Sequence, residues 1–447
     1  MLKTLDPQVA RKRQVRAWAF YDFSTQGYQV TTASALFPAY FARGIAPDGL
    51  SLLGIHFPPE ALWGFGVGLA AAIVFILAPI LGAIADHGGY KKRFLMFFAY
   101  GGCLFASLLF FAIPGWVWFS LVFFVLAQVF YTSGNVFYDA FLPEVADTDE
   151  EMDRASGVGF AYGYLGGFLQ FAGALVLVSA HDWFGLTETM AIRICLLSAG
   201  LWWLGFSVYS FRVLKETKKE LPPRVVPEII GDGVNRTWQS IKLLPRFPSL
   251  LLFLVAYFFY NDGIQTVISI SGVYGSGTLG LSTQVIMLTF LIVQLIAIGG
   301  AMAFSSLAVR WGTKNTLIVG LFAWSAIVVG AFFLRTGDAL GFIFLGAMIG
   351  LVLGGTQSLS RSLFASMIPR TSSAGFFGFY SIFNKLSAIL GPILFGVMTT
   401  AFSSARPAVL MILIFFVVGT FLLWFLDLDK ARRSKQQLEE ALREEVF

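Results

Sequence analysis

Charge is what this 447-residue chain has least of: Asp, Glu, Lys and Arg together make up 13%, against a hydrophobic share of 57% and a mean hydropathy of +0.75. A soluble domain carries about 25% charged residues. Too little polar surface is left here to cover a water-soluble globule. Histidine and cysteine are nearly missing, at three and two residues. His56, His87 and His181 fall in separate loops, which argues against a metal cluster or a histidine-based triad. Cys103 and Cys195 lie inside apolar runs and read as small buried hydrophobes, with no disulfide framework. There is no Walker motif, so the chain does not power anything with ATP itself. Gly157-x-Gly159-x-x-x-Gly163 follows no strand and is no nucleotide fingerprint, and no cofactor is implied. No basic patch is interleaved with exposed aromatics, so nucleic acid is not an expected partner.

What is present is apolar sequence in long runs. A spanning helix takes about 20 apolar residues, because ~30 Å of hydrocarbon is crossed at ~1.5 Å per residue. Twelve such runs begin near Trp18, Ala61, Phe94, Val117, Gly157, Ile192, Leu250, Thr283, Asn315, Ala339, Phe376 and Ala408. They are too long and too continuous for barrel strands. The 48 Phe and 46 Gly suit lipid-facing aromatics and close helix contacts. The expected fold is an all-α integral membrane protein of twelve transmembrane helices in two pseudo-symmetric six-helix bundles. The divisions read as an N-terminal segment 1–17, a first bundle 18–212, a charged, proline-bearing linker 213–248, a second bundle 249–427 and a tail 428–447. The tail has charges at helical spacing and suggests a short surface helix. The run after Trp18 is full spanning length and reads as a retained first helix, with no cleavable signal before it.

Lys and Arg set the orientation. Alternate loops hold Arg11, Lys12, Arg13, Arg16, Lys91, Lys92, Arg93, the segment 212–246, Arg310, Lys314 and Arg370, and the tail adds Lys430, Arg432, Arg433 and Lys435. The opposite loops hold only Arg43, Arg193, Arg335 and Arg406. The positive-inside rule places both termini in the cytoplasm. The sequon Asn235-Arg236-Thr237 then falls on the cytoplasmic side and should carry no glycan.

The two halves repeat each other. After the second run stands Gly82-Ala83-Ile84-Ala85-Asp86-His87-Gly88-Gly89-Tyr90-Lys91-Lys92-Arg93, and after the eighth a worn copy, Arg310-Trp311-Gly312-Thr313-Lys314. Tyr21-Asp22 with Gln26 on the first run is echoed by Tyr260-Asn261-Asp262 with Gln265 on the seventh, and the fourth and tenth runs end at Pro143 and Pro369. The first motif resembles the G-x-x-x-D-x-x-G-x-K/R signature of the major facilitator superfamily. Four further segments resemble its vacuole-effluxer-like branch. These are Trp18-Ala19-Phe20-Tyr21-Asp22-Phe23 with Phe37-Pro38-Ala39-Tyr40-Phe41, and Tyr260-Asn261-Asp262-Gly263-Ile264-Gln265-Thr266. The others are Gly354-Gly355-Thr356-Gln357-Ser358-Leu359-Ser360-Arg361-Ser362, and Lys385 with Gly391-Pro392-Ile393-Leu394-Phe395-Gly396. That resemblance implies a transporter and points toward amino-acid export, as in a fungal vacuolar permease. The short loops place the chain with the bacterial members, in an inner membrane. In the superfamily's fold, helices one, four, seven and ten line the central cavity.

An ionised side chain at mid-bilayer costs roughly 2.5–3.5 kcal/mol, so such residues should be purposeful. Five lie inside the runs: Asp22, Asp139, Asp262, Arg361 and Lys385. Asp262, with Gln265 and Thr266 on one face, reads as a proton acceptor or cation site, or as the buried partner of a positive residue. Arg361, one turn after Gln357, suits a substrate carboxylate or phosphate, or a salt bridge to a transmembrane aspartate. Lys385, beside Asn384, reads as a counter-charge to an aspartate across the cavity. Asp22, with Gln26, stands near the start of its run, and Asp139, on a stripe with Asn135 and Tyr131, near the end of its own. Both read equally as gate or as ligand. Gly82, Asp86, Gly89, Lys91, Lys92 and Arg93 read as a conformational latch.

The expected activity is therefore secondary active transport of a small solute by alternating access, driven by a proton or other cation, by a monomer in the bilayer and without enzymatic chemistry. Three acids and two bases around one cavity suit a zwitterion such as an amino acid. Export of hydrophobic or cationic compounds is the nearest alternative, and Arg361 and Lys385 count against it. An intramembrane lipid-modifying enzyme lacks a clustered nucleophile, and a membrane sensor lacks an attached domain.

Overall fold

The computed structural model describes residues 7–52, 55–57, 59–216, 247–402 and 405–444. Most of the linker, including Asn235, lies outside the described residues. The chain is a bundle of long helices with one small antiparallel ladder, β1 (Leu50–Leu52) and β2 (Ile55–Phe57), at the tip of a loop. The first half contains α1 (Pro7–Gly27), α2 (Pro59–Gly88), α3 (Lys91–Leu108), α4 (Val117–Ala140), α5 (Asp149–Ser179) and α6 (Glu188–Val213). The second contains α7 (Pro248–Val273), α8 (Thr283–Trp311), α9 (Thr313–Phe333), α10 (Ala339–Met367), α11 (Ser373–Leu386), α12 (Leu390–Phe402) and α13 (Ala405–Trp424). The tail forms α14 (Leu428–Glu444).

Eleven described spans are long and apolar enough to cross a bilayer. The twelfth crossing is the first one. There α1 continues through π-helical and α-helical pieces, Tyr28–Leu36, Phe37–Tyr40 and Phe41–Ile45, and its polar residues dilute the hydropathy. α11 and α12 together make the eleventh crossing, so twelve membrane helices stand in two six-helix halves.

Helix starts follow from local side-chain chemistry. Thr148 accepts the Glu151 N–H while Glu151 reaches back, a capping box that opens α5. Thr187, Ser282 and Asp338 cap α6, α8 and α10 in the simpler way. Outer faces carry Phe75, Ile76, Phe97, Phe322 and Phe421 exposed, as a lipid-facing surface does, while Trp18, Trp203 and Trp324 are fully buried.

Three sequence expectations are corrected. Helix one begins at Pro7 instead of Trp18, because residues 7–16 continue the same helix before the apolar run starts. Asp22 therefore lies about four turns inside a helix and not at its start. Helix five begins at Asp149 instead of Gly157, for the capping reason given above. Helix eleven, read as continuous from Phe376, is interrupted at residues 387–389.

The halves meet along α2 against α11 and α5 against α8 and α10. Gly82 is where α2 comes closest: a Cβ there would lie 2.3 Å from the Ala374 carbonyl oxygen of the other half, so only glycine fits.

Candidate functional site: a charged seam between the halves

Arg361 sits on α10 about two turns before its end, 3% exposed. Its Nη1 lies 3.1 Å from Asp139 Oδ1 on α4 and 3.7 Å from Asp22 Oδ2 on α1. Its Nε donates to Ser156 Oγ and its Nη2 to the Ser156 carbonyl, both at 3.0 Å, on α5. The guanidinium carbon lies 4.2 Å from the Phe160 ring centroid and 4.7 Å from that of Trp18. Trp18 stacks on Tyr138, whose hydroxyl donates to Asp22 Oδ2 at 3.2 Å. One cation of the second half is thus held by two acids, a serine and aromatic faces of the first. The salt-bridge reading of Arg361 is the one the geometry meets, and its planar fork is committed to protein partners.

The same seam runs on toward the end of the bundle that bears the basic loops. Asp153, 2% exposed on α5, accepts from Ser362 and, at 2.7 Å, from Thr313 of the second half. Ser156 donates to the Ser358 carbonyl and Ser305 to the Asp153 carbonyl, each at 2.7 Å. At the rim, Arg370 holds Asp147 at 2.7 Å, Arg11 also reaches Asp147, and Arg432 of α14 holds Asp149 at 2.7 Å. Burial alone works to raise the Asp147 carboxyl. The guanidinium groups of Arg370 and Arg11 outweigh it and hold the group below the usual carboxylate range.

Signature-motif residues join this end. Lys91, 5% exposed, donates to Glu144 at 2.8 Å in its own half and to Ser373 at 2.9 Å in the other. The Lys91 and Lys92 N–H groups bind Glu216, and the Lys92 ammonium binds the Leu214 carbonyl at 2.8 Å. Gly89 takes φ 61° at the turn, and Arg93 lies over the Tyr90 ring. The side chain of Asp86 lies outside the described ones.

The other expected site residues divide. Gln26 and Asp22 both lie against Gly163 of α5, and Gln357 accepts the Tyr164 hydroxyl across the seam at 2.5 Å. Asn135 is half-buried one turn before Asp139. Asn384 donates to the Tyr257 hydroxyl at 2.6 Å, within the second half. Gln265 is half-buried on α7. Asp262 does not join the cluster. It is fully buried, and its Oδ1 accepts the Gly391 N–H at 2.9 Å where α12 begins. Among the described residues no positive side chain pairs with it, Lys385 included. Lys385 is half-buried, and among the described residues its ammonium has no ion-pair partner, so the expected pairing with an aspartate is not made. Sequence reasoning missed Asp153 and Ser156. Both sit before the apolar run that opens at Gly157, and the Thr148-x-x-Glu151 cap is the sequence signal that includes them in helix five.

A family model described as vacuole effluxer Atg22-like matches residues 10–436. An uncharacterized MFS-type transporter of Bacillus subtilis, YxiO, is 31% identical over 95% of this chain and 97% of its own. Autophagy-related protein 22 of Kluyveromyces lactis is 24% identical over 96% of each chain. Among solved structures, the proton:xylose symporter XylE bound to 6-bromo-6-deoxy-D-glucose superposes with a TM-score of 0.72 at 14% identity, covering 94% of this chain and 97% of that one. The human organic anion transporter MFSD10 gives 0.68 at 13% identity over 94% and 100%. At those identities the structures speak for the fold alone.

Proposed function

The chain belongs to the vacuole effluxer Atg22-like family of major facilitator transporters, and from that premise we propose that it moves a small zwitterionic solute such as an amino acid by proton-coupled alternating access. The observation that carries this reading is Arg361, a second-half cation held by Asp22 and Asp139 of the first half inside the membrane. With the basic loops on the cytoplasmic side of an inner membrane, the seam is a closed cytoplasmic gate. Opening that gate means separating Arg361 from its two acids. A proton on Asp139 or Asp22 removes a charge from the cluster and lowers the cost of separation, which couples proton transfer to the rocking of the halves. A solute bound between the halves adds its own differential affinity to the same equilibrium. Lys385, half-buried and without a counter-ion among the described residues, suits an anionic group on the solute and argues against a lipophilic cation as cargo.

The test is uptake of labelled amino acids into proteoliposomes under an imposed pH gradient. Accumulation that collapses with a protonophore and is lost in Asp139→Asn supports the reading. Gradient-driven accumulation unchanged by both treatments refutes the proton coupling, and failure with every amino acid while an organic anion or sugar is taken up refutes the substrate class.

A further inference from the structure

Asp262 presents a second membrane-buried carboxyl, and its surroundings differ from those of the seam. Its Oδ1 is occupied by the Gly391 N–H, but among the described residues its buried Oδ2 has no hydrogen-bond partner. Thr266, one turn on, donates its hydroxyl to the Asp262 main-chain carbonyl at 2.6 Å. That leaves the Thr266 oxygen with free lone pairs beside Gly391. A Cβ on Gly391 would stand 1.7 Å from Thr266 Oγ1 and 2.9 Å from Asp262 Oδ1, so the absence of a side chain is what lets the start of α12 pack directly against these two residues.

The chain break supplies more oxygen. In a continuous helix the Gly391 N–H would go to the Ser387 carbonyl, but here it goes to Asp262. Residue 392 is proline and has no N–H for the Ala388 carbonyl. Among the described residues no main-chain donor reaches either carbonyl. Asn261 pins the break to α7 through a 2.5 Å bond to Ser387 Oγ. The break thus leaves the Ser387 and Ala388 carbonyls without a main-chain donor and Asp262 Oδ2 unmet, while the Gly391 N–H serves Oδ1, in a setting where an unmet polar group is costly. A proton on Oδ2 answers one of these oxygens. A small hard cation answers all of them, and one carboxylate balances one positive charge, which disfavours divalent ions.

We propose that Asp262, Thr266 and the freed carbonyls of Ser387 and Ala388 form a sodium-ion site at the break in the eleventh membrane helix. The ion ties α7 to α12 within the second half and is separate from the Arg361 seam. It does not rest on the proton-coupling reading.

The experiment uses the full chain purified in detergent at one pH, measuring binding of radioactive sodium and the melting temperature in sodium, potassium or choline chloride at equal ionic strength. The expected result is saturable sodium binding and a sodium-specific rise in melting temperature. Both are lost in Asp262→Asn, whose amide oxygen still accepts from Gly391 and so preserves the fold. In Thr266→Val the affinity falls about 10–100-fold. Equal melting in sodium and choline overturns the proposal, as does a sodium effect that survives Asp262→Asn. A pH-dependent melting shift that ignores sodium and disappears in Asp262→Asn also overturns it and assigns the site to a proton. Binding is read without transport, so neither result depends on the transport experiment above.

Discussion

Replacing Arg361 with alanine is the most direct test of the gate. The guanidinium lies 3.1 and 3.7 Å from two carboxylates, which at an effective dielectric near 20 corresponds to attractions of about 5 and about 4 kcal/mol before desolvation is subtracted. Most of that offsets the burial of three charges. Removing one partner of such a cluster leaves the acids facing each other and costs about 3–5 kcal/mol. The penalty falls on the closed state, because opening the seam lets water reach Asp22 and Asp139. The open population should therefore rise by roughly 10²-fold to roughly 4 × 10³-fold. Ser358 is fully buried at the seam, so Ser358→Cys reports opening through its labelling rate with a membrane-impermeant maleimide, in a background lacking Cys103 and Cys195. Arg361→Ala should accelerate labelling by that factor, and Arg361→Lys, which keeps the charge but loses the fork, should fall between. Adding Asp22→Asn and Asp139→Asn to Arg361→Ala removes the repelling charges and should slow labelling again. Unchanged or slower labelling in Arg361→Ala would refute the gate.

Gly391→Ala should lower the melting temperature sharply or abolish expression, since its Cβ meets Thr266 Oγ1 at 1.7 Å; adding Thr266→Ala should recover part of the loss, and full stability of the single variant would be incompatible with the packing described. The rim tie between Asp147 and Arg370 should be insensitive to pH across the neutral range. A carboxyl held below its unfolded value, near ~3.9, contributes stability above that value and loses it as pH falls through the folded one. Arg370→Ala should thus shift Ser358→Cys labelling by the same small factor at pH 5.5 and 8, and a difference that grows between those values would contradict it. Asp153→Ala, which strands Ser362 and Thr313, should speed the same labelling without touching Arg361, whereas no change would remove Asp153 from the seam.

The membrane class, the count of crossings and the division into halves were legible because hydrocarbon thickness imposes a length and a composition that no packing detail overrides. The signature motif was equally visible in the sequence, and its Gly82 and Lys91 contact the second half. What was not legible is which charges meet. Asp22 and Asp262 occupy matching places in the repeat, yet one faces an arginine and the other a helix end. Pairing depends on the rotation of each helix and the tilt of one half against the other, and periodicity within a single helix carries neither. Helix ends were misread for a simpler reason: residues 7–16 and 149–156 are polar, and hydropathy alone cannot extend a helix beyond the apolar stretch.

The echo between the halves also explains why the two carboxyls came to differ. In the first half, Asp22 is met by a cation from the opposite half, so its neutralisation changes whenever the halves separate. In the second half, no cationic side chain among the described residues reaches Asp262, and the helix is interrupted before Gly391-Pro392 so that a main-chain N–H meets the carboxyl instead. That partner belongs to the same half and moves with it. A group whose partner lies across the seam is suited to sensing the rocking motion, and a group whose partner moves with it is suited to holding a ligand through that motion. On the proposed reading, the repeated pattern Tyr21-Asp22 and Tyr260-Asn261-Asp262 serves as a gate in one half and an internal site in the other, according to what each acid finds opposite it.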